Sequence, residues 1–536
     1  MNSEATSMRG TTMSTPNPSY RAGTTETALL HVTVGDLLRR ATMSSPDRIA
    51  VVDGAPEATR TWTYRQLLDD AGNCARRLLA RHPAGSRIGV WAANSPEWTV
   101  LQHAVALAGM QLVAINPAYT YPELAYVIRD SGCVAVFHGG EHRGIDLGSV
   151  AERALAEIET LRATDDLAAW VGALDDVGAD RQLPAVDEND VAVLQYTSGT
   201  TGAPKGVLIS HHAMLNSANL VARRAGLEEG CVYVNPMPAF HIGGCGTVTL
   251  GTISSVGTQV IMPAFDPGRV LELIEKYRAT ALLAVPTMQI AILEHPELPD
   301  RDTSSLRVIL TGGSTASADL VNRVKSTFGC KFSITFGQTE TGGPSTQTDP
   351  DGSVSEQVET IGRALPHTEV KIVDPTSGEI VQVGEQGEIC SRGPTTMIGY
   401  LHRPDDSSLR DDGWLHYGDL GTLDADGYLR IVGRLKDMII RGGENISPRE
   451  IEEAICAHPG VLDAAVVGVP DERWGEQVAA FVRVADGDEV EVDELTEFVG
   501  ARLARHKVPR VWRLVNAFPL TPSGKIQKFK LREELD

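Results

Sequence analysis

Residues 196–206 read Tyr-Thr-Ser-Gly-Thr-Thr-Gly-Ala-Pro-Lys-Gly and stand directly behind the apolar run Val191-Ala-Val-Leu194. Gly199 and Gly202 let backbone N–H groups turn inward on an anion, Thr197, Ser198, Thr200 and Thr201 add hydroxyl donors, and Lys205 supplies a point charge. The stretch predicts a loop that holds polyphosphate. A Walker loop ends in Gly-Lys-Ser/Thr and opens a helix, whereas here Pro204-Lys205-Gly206 leads into Val207-Leu-Ile-Ser210, which is β-like. The competing reading is a surface linker; linkers seldom alternate hydroxyls with glycines and then stop at a lysine behind a buried strand.

On either side of this loop the chain alternates helical and strand periods. Residues 29–38 lead into a helix, Arg87 to Trp91 is strand-like, and Asn94-Ser-Pro-Glu-Trp opens a second helix. Pro267 to Arg278 reads as a helix, Ala281 to Val285 as a buried strand, and Thr287 to Glu294 as a helix again. Strands alternating with helices predict an α/β fold in which parallel sheets carry helices on their faces. Leu306-Arg-Val-Ile-Leu-Thr-Gly-Gly313 runs a strand into paired glycines, and Phe332 to Phe336 runs another into Gly337-Gln-Thr-Glu340. Ligands of open α/β sheets collect beyond such carboxyl ends. A smaller unit follows Arg434, with strands near 464–469 and 477–484, a helix near 493–505 and a basic tail.

With 536 residues, 42% of them hydrophobic, the chain can build several large cores. Acidic residues outnumber basic ones 70 to 48, a net charge of −22, which disfavours nucleic acid and anionic membrane as general partners. The stretch 502–532 reverses this sign: Arg502, Arg505, Lys507, Arg510, Arg513, Lys525, Lys528, Lys530 and Arg532 occur without one Asp or Glu, which suits a polyanionic ligand or, alternatively, a solvated basic face. The cysteines at 74, 133, 231, 245, 330, 390 and 456 form no Cys-x-x-Cys pair, so zinc-finger and disulfide frameworks are disfavoured and a reducing cytoplasm is expected. His241 and Cys245, four apart without further ligands, read as chance spacing. Residues 1 to about 28 are rich in Ser, Thr, Asn and Pro and predict a disordered leader rather than a signal peptide. No apolar run reaches the roughly 20 residues of a spanning helix, so no membrane insertion is expected.

The phosphate-type loop is similar to that of the adenylate-forming superfamily, which includes acyl-CoA synthetases, luciferases and the adenylation domains of peptide synthetases. Asn116-Pro-Ala-Tyr-Thr120, Met237-Pro-Ala-Phe-His241, Thr335-Phe-Gly-Gln-Thr-Glu340, Gly413-Trp-Leu-His-Tyr-Gly-Asp419, Gly433-Arg-Leu-Lys-Asp437 and Pro519-Leu-Thr-Pro-Ser-Gly-Lys525 follow the order and approximate intervals of that family. The resemblance implies a large N-terminal domain of mixed and parallel β-sheets flanked by helices, over 29–435, and a small mobile α+β C-terminal domain, over 436–536, with a hinge near Lys436. ATP, Mg2+ and coenzyme A are the implied ligands. Thr197 to Gly202 and Lys205 would hold phosphates, and Glu340 the metal. Gly313, Ser314, Thr335, Gly337, Gln338 and Thr339 would line the nucleotide, with Phe336 stacked on adenine, Asp419 on the ribose and Arg434 as its companion. Lys525 matches the family's catalytic lysine, which stabilises charge building on the α-phosphate as a carboxylate displaces pyrophosphate. Gly442, Gly443 and Glu444 match the loop offered to the pantetheine arm after the small domain turns, and His241 resembles the aromatic gate to the thiol tunnel.

Two positions depart from the family pattern. Ser314-Thr-Ala316 replaces an Ala-Pro-type sequence, and Tyr417 stands where a small hydroxyl residue is usual. A large ring beside Asp419 is expected to crowd the nucleotide and slow adenylation, to the extreme of relying on a companion ligase for acyl-AMP; turned outward into water it would do neither. The resemblance implies a carboxylic acid:CoA ligase acting on a fatty or bulky hydrophobic acid. An enzyme loading a carrier-protein thiol, an ATP-dependent phosphotransferase and a nucleotide-binding regulator without turnover are the alternatives.

Overall fold

The computed structural model describes residues 17–58, 60–173, 181–197, 204–314, 316–442, 444–471, 473–484, 490–520 and 526–535. Three large sheets and a two-stranded ribbon, Glu141–His142 with Ile145–Asp146, make up the described part of the large N-terminal domain. In the seven-stranded sheet, Ala163–Asp166, Ala135–His138, Arg87–Trp91, Gln111–Ile115 and Val191–Thr197 run parallel, and Lys205–Ser210 and Gly399–Tyr400 complete one edge antiparallel. In the nine-stranded sheet, Ile49–Asp53, Thr258–Ile261, Val232–Asn235, Ala281–Leu283, Val308–Gly312 and Lys331–Gln338 are parallel neighbours, with antiparallel strands at both edges. The central strands are Val-, Ile- and Leu-rich and buried on both faces, as parallel strands must be when helices cover them. The predicted strand near 281–285 and its flanking helices appear as Ala281–Leu283, Pro267–Tyr277 and Pro286–Leu293.

The helix Pro96–Leu107 is the clearest case of sequence dictating position. Ser95 caps it by accepting the Trp98 N–H, Pro96 fits the first turn where no backbone donor is needed, and every residue through Leu107 is buried. Buried on every side, it needs partners for its polar residues, which Glu97 finds in Arg60 and Gln102 in the Cys245 carbonyl, while Trp98, 1% exposed, anchors it. Its truncation to alanine would cost about 3–5 kcal/mol.

The third sheet is antiparallel, in the order Tyr20–Ala22, Glu369–Val373, Gly387–Arg392, Leu415–Leu423, Leu429–Arg434. Its first strand lies inside the expected disordered leader and corrects that expectation from residue 17 on, residues 1–16 lying outside the described residues. Tyr20 packs edge-on against Trp414 and donates from Oη to Glu369 Oε2 at 2.6 Å, and the flanking backbone pairs with the neighbouring strand. Ser19 Oγ donates to the Gln382 carbonyl at 2.8 Å and Arg21 Nη2 to the Ala425 carbonyl at 2.8 Å, so a segment with the composition of a loose arm is tied down by hydrogen bonds as well as by its aromatic anchor.

The small C-terminal domain has a sheet of its own, Glu444–Ile446, Ile439–Arg441, Gly475–Val484 and Val461–Asp471, with Val511–Leu514 parallel to Gly475–Val484. Its core of Ile439, Ile446, Ile451, Ile455, Val466, Val482 and Leu495 is separate from those of the large domain. The basic stretch is partly neutralised here: Lys507 pairs with Glu450 at 2.7 Å and Lys528 with Glu452 at 2.6 Å, both on the acidic helix Pro448–Cys456. Among the described residues no helix is long and apolar enough to cross a membrane.

Candidate active site

All three large-domain sheets send a strand end to one place. From the seven-stranded sheet, Val191–Thr197 and Lys205–Ser210 pair antiparallel with Thr197 facing Lys205, so the segment that follows the glycine-rich stretch is β, as its sequence predicts. The helix Tyr121–Ser131 grips both arms: Tyr196 Oη donates to Asp130 Oδ2 at 2.7 Å and Tyr126 Oη donates to the Pro204 carbonyl at 3.0 Å. Ser198, Gly199, Thr200, Thr201 and Gly202 lie outside the described residues.

The lysine closing the hairpin is not free. Lys205 Nζ donates to Asp406 Oδ2 at 2.7 Å and lies 4.8 Å from the centre of the Tyr400 ring. Tyr400 in turn donates from Oη to Glu340 Oε1 at 2.7 Å, and burial followed by the Glu340 charge raises its pKa, so the phenol stays a donor. Asp406 is held by the Ser408 hydroxyl and N–H; burial pushes its carboxyl up, but the bonds from Lys205 and Ser408 outweigh this and keep it below the ordinary value. Tyr400 and Asp406 thus join Lys205 to Glu340, a connection that residues separated by 201 positions give no local sign of. The only sequence signal was an isolated Gly-Tyr at an edge strand.

From the nine-stranded sheet, Lys331–Gln338 carries Thr335, Phe336, Gly337 and Gln338 into the short turn Thr339–Thr341, which presents Glu340. Thr335 Oγ1 donates to the Thr311 carbonyl at 3.0 Å, which fixes this strand against Val308–Gly312, where Gly313 and Ser314 follow. Gly337 must be glycine: a Cβ there would sit 2.1 Å from the Gly343 carbonyl oxygen, where the returning strand crosses. The Glu340 carboxylate, with one oxygen engaged by Tyr400, is a hard donor beside hydroxyl groups, which fits Mg2+ better than a softer ion.

The antiparallel sheet contributes Asp419, 4% exposed, which accepts from Arg434 Nε at 2.9 Å and from Gln338 Nε2 at 3.0 Å. Gln338 Nε2 also reaches the Tyr417 carbonyl at 3.0 Å. Between these residues Gly418 adopts φ +68°, and its N–H donates to Glu388 Oε1 at 3.0 Å, while Glu388 Oε2 pairs with His416 Nδ1 at 2.8 Å. The kink that aims Asp419 therefore rests on a buried carboxylate that sequence reading overlooked.

Tyr417 is where expectation and structure part. Its ring is 8% exposed and stacks on Phe336 with centroids 5.5 Å apart and planes 20° from parallel. Its hydroxyl donates to Ser345 Oγ at 2.6 Å and lies 2.9 Å from Ser391 Oγ. The ring therefore does not face water; it packs into the main core as the backing of Phe336. A pair of serines gives the phenol the hydrogen bonds it would otherwise have sought in water.

The remaining candidates sit further off. His241 lies in the loop before the π-helical turn Gly243–Val248, with Nδ1 accepting from the Gly243 N–H at 3.3 Å. Asn94 clamps that loop by donating to the Met237 carbonyl at 2.9 Å and accepting from the Ala239 N–H at 2.7 Å. Lys436 is in the turn Leu435–Asp437 that joins Leu429–Arg434 to the first strand of the small domain. Gly442, at φ +62°, and Glu444 are held within that domain, the former donating from N to the Trp474 carbonyl at 2.7 Å and the latter pairing with His506 at 3.0 Å. Gly443 and Lys525 lie outside the described residues.

Comparison with known proteins agrees with this geometry. The AMP-binding enzyme family matches residues 38–401, and the AMP-binding enzyme C-terminal domain matches 450–525. YngI of Bacillus subtilis (strain 168), assigned as an acyl-CoA synthetase, is 38% identical over 94% of this chain and 97% of its own length. The mitochondrial medium-chain acyl-CoA ligase ACSF2 of Macaca fascicularis is 34% identical over 97% of this chain and 89% of its own. The crystal structure of ATP-bound MatB from Rhodopseudomonas palustris superposes with a TM-score of 0.83 at 29% identity, covering 94% of this chain and 99% of that one. With three sheets meeting at a hairpin lysine, a glutamate and a buried aspartate, and with matches across both domains, the chain belongs to the AMP-binding enzyme family.

Proposed function

We propose that this protein is an AMP-forming carboxylic acid:CoA ligase that activates a fatty or otherwise hydrophobic acid as its acyl adenylate and transfers the acyl group to coenzyme A. The observation that carries the proposal is the junction at Gln338, which bonds the Asp419 carboxylate directly and stands in the same short segment as Phe336 and Glu340. One nucleotide placed there would meet a ring for adenine, a carboxylate for ribose and the Lys205 hairpin for phosphates. Glu340 and the hydroxyl groups near it would hold Mg2+, which neutralises phosphate charge when bound. Lys525 would act on the α-phosphate in the first half-reaction. Rotation about Lys436 would then withdraw it and bring Gly442 to Glu444 to the thiol. The packing of Tyr417 behind Phe336 supports unhindered adenylation and argues against dependence on a companion ligase.

The test is a panel of hydrophobic acids assayed for CoA-dependent release of AMP and pyrophosphate. A phosphopantetheinyl carrier in place of CoA distinguishes the carrier-loading alternative, and ADP as product would point to a phosphotransferase. Lys525→Ala should lower acid-dependent pyrophosphate exchange by at least two orders of magnitude while largely sparing thioester formation from supplied acyl adenylate. Equal loss in both half-reactions would remove Lys525 from the role given to it.

A further inference from the structure

Away from the site just described, three segments distant in sequence bring together two imidazoles and a carboxylate. His31 comes from the arm before the first helix, Glu188 from the stretch preceding Val191–Thr197, and His212 from the first turn of the helix His211–Arg224. His31 Nδ1 lies 3.0 Å and His212 Nδ1 3.6 Å from the same oxygen, Glu188 Oε1, and all the donor atoms fall within 4.8 Å of one another. Tetrahedral zinc with bonds of about 2.0–2.1 Å to nitrogen and oxygen sets neighbouring donors about 3.3 Å apart, between the two spacings found here.

A second observation points the same way. His212 Nδ1 is enclosed by protein and makes no close hydrogen bond, its carboxylate neighbour Glu188 Oε1 standing 3.6 Å away, so a buried ring nitrogen faces the cluster with only a long ion-pair contact. His31, by contrast, is 68% exposed, which leaves a side open for a water ligand and a route for an ion to enter. The two rings lie 5.3 Å apart and tilted by 36°, with both Nδ1 atoms turned to the same carboxylate oxygen.

We propose that His31, Glu188 and His212 form a binding site for a borderline divalent metal such as Zn2+, separate from the hard-ion position at Glu340, with water as the fourth ligand. Two imidazole nitrogens and one carboxylate select Zn2+ and its neighbours over Mg2+ and Ca2+, which take oxygen. The site would staple the N-terminal arm to the large domain beside an existing clasp, in which Leu30 N–H donates to Asn216 Oδ1 at 2.7 Å and Asn216 Nδ2 donates to the Leu30 carbonyl at 3.0 Å.

The experiment is calorimetric titration of Zn2+ into tag-free, chelator-treated full-length protein with Mg2+ in excess and no nucleotide. The parent, His31→Ala and Glu188→Gln are compared, with visible absorption of bound Co2+ as a reading of tetrahedral geometry. His31 is exposed and Glu188 partly so, and the thermal melt of each variant without metal checks that its fold matches the parent's. One equivalent bound by the parent, with affinity falling at least tenfold in each variant and the Co2+ bands lost, supports the site. Absence of binding, or binding that either variant leaves unchanged as exposed Cys456 could provide, overturns it.

Discussion

Replacing Tyr417 by threonine restores the residue type usual in the family, and a crowding ring would make that change beneficial. The structure predicts the opposite. Tyr417 is buried, stacked on Phe336 at 5.5 Å and bonded through its hydroxyl to Ser345 and Ser391. Removing an aromatic ring from a packed core costs about 3–5 kcal/mol for truncation to alanine, and threonine refills part of the space, so a loss of about 2–4 kcal/mol is expected. Tyr417→Phe keeps the stack and leaves the two serines short of a partner, which should cost about 1 kcal/mol. The urea midpoint of the large domain, read by tryptophan fluorescence, should therefore fall in the order parent, Phe, Thr. Acid-dependent pyrophosphate exchange should follow the same order, because Phe336 without its backing is free to leave the position proposed for stacking on adenine. A Thr variant that is as stable as the parent and exchanges pyrophosphate faster would refute this reasoning and restore the crowding reading.

Asp406 pairs with Lys205, the lysine proposed to meet phosphate, so Asp406→Asn should tighten ATP binding; a partly exposed ion pair is worth about 0.5–1 kcal/mol, and equilibrium titration should show a two- to fivefold lower Kd. Burial pushes the Glu388 carboxyl up, but its bonds with His416 and the Gly418 N–H hold it below its ordinary value of 4.5. A depressed folded-state pKa contributes stability above the unfolded value that is lost as pH falls through the folded one, so the parent should lose stability below about pH 4.5 with a steeper slope than Glu388→Gln, as thermal melts at stepped pH would record. Lys436→Pro removes a backbone donor and holds φ near −65° in the linking turn, so half-reaction assays should find adenylation better preserved than CoA transfer.

Much of the proposed site was readable from residues alone, because the parts assigned here to phosphate, ribose and metal are short runs in which chemistry and backbone conformation are encoded together. A loop of hydroxyls and glycines closing on Lys205, a strand running into Gly337-Gln-Thr-Glu, and an Asp after a glycine each carry their local reason with them. Periodicity likewise gave the parallel sheets, since strands buried on both faces must be apolar throughout and helix starts carry their caps. What linear reading could not supply is which side of a strand a side chain takes where the backbone kinks. Gly418 at φ +68° breaks the simple alternation of faces, so no count of positions says whether Tyr417 meets the nucleotide or the core, and only the presence of Phe336, Ser345 and Ser391 around it decides. The same holds for Asp406 on Lys205, Glu388 on Gly418 and Glu188 between two histidines. Each is an interaction between segments far apart in the chain, and the energy of a charge or a hydrogen bond depends on distance in space, which tertiary packing alone sets.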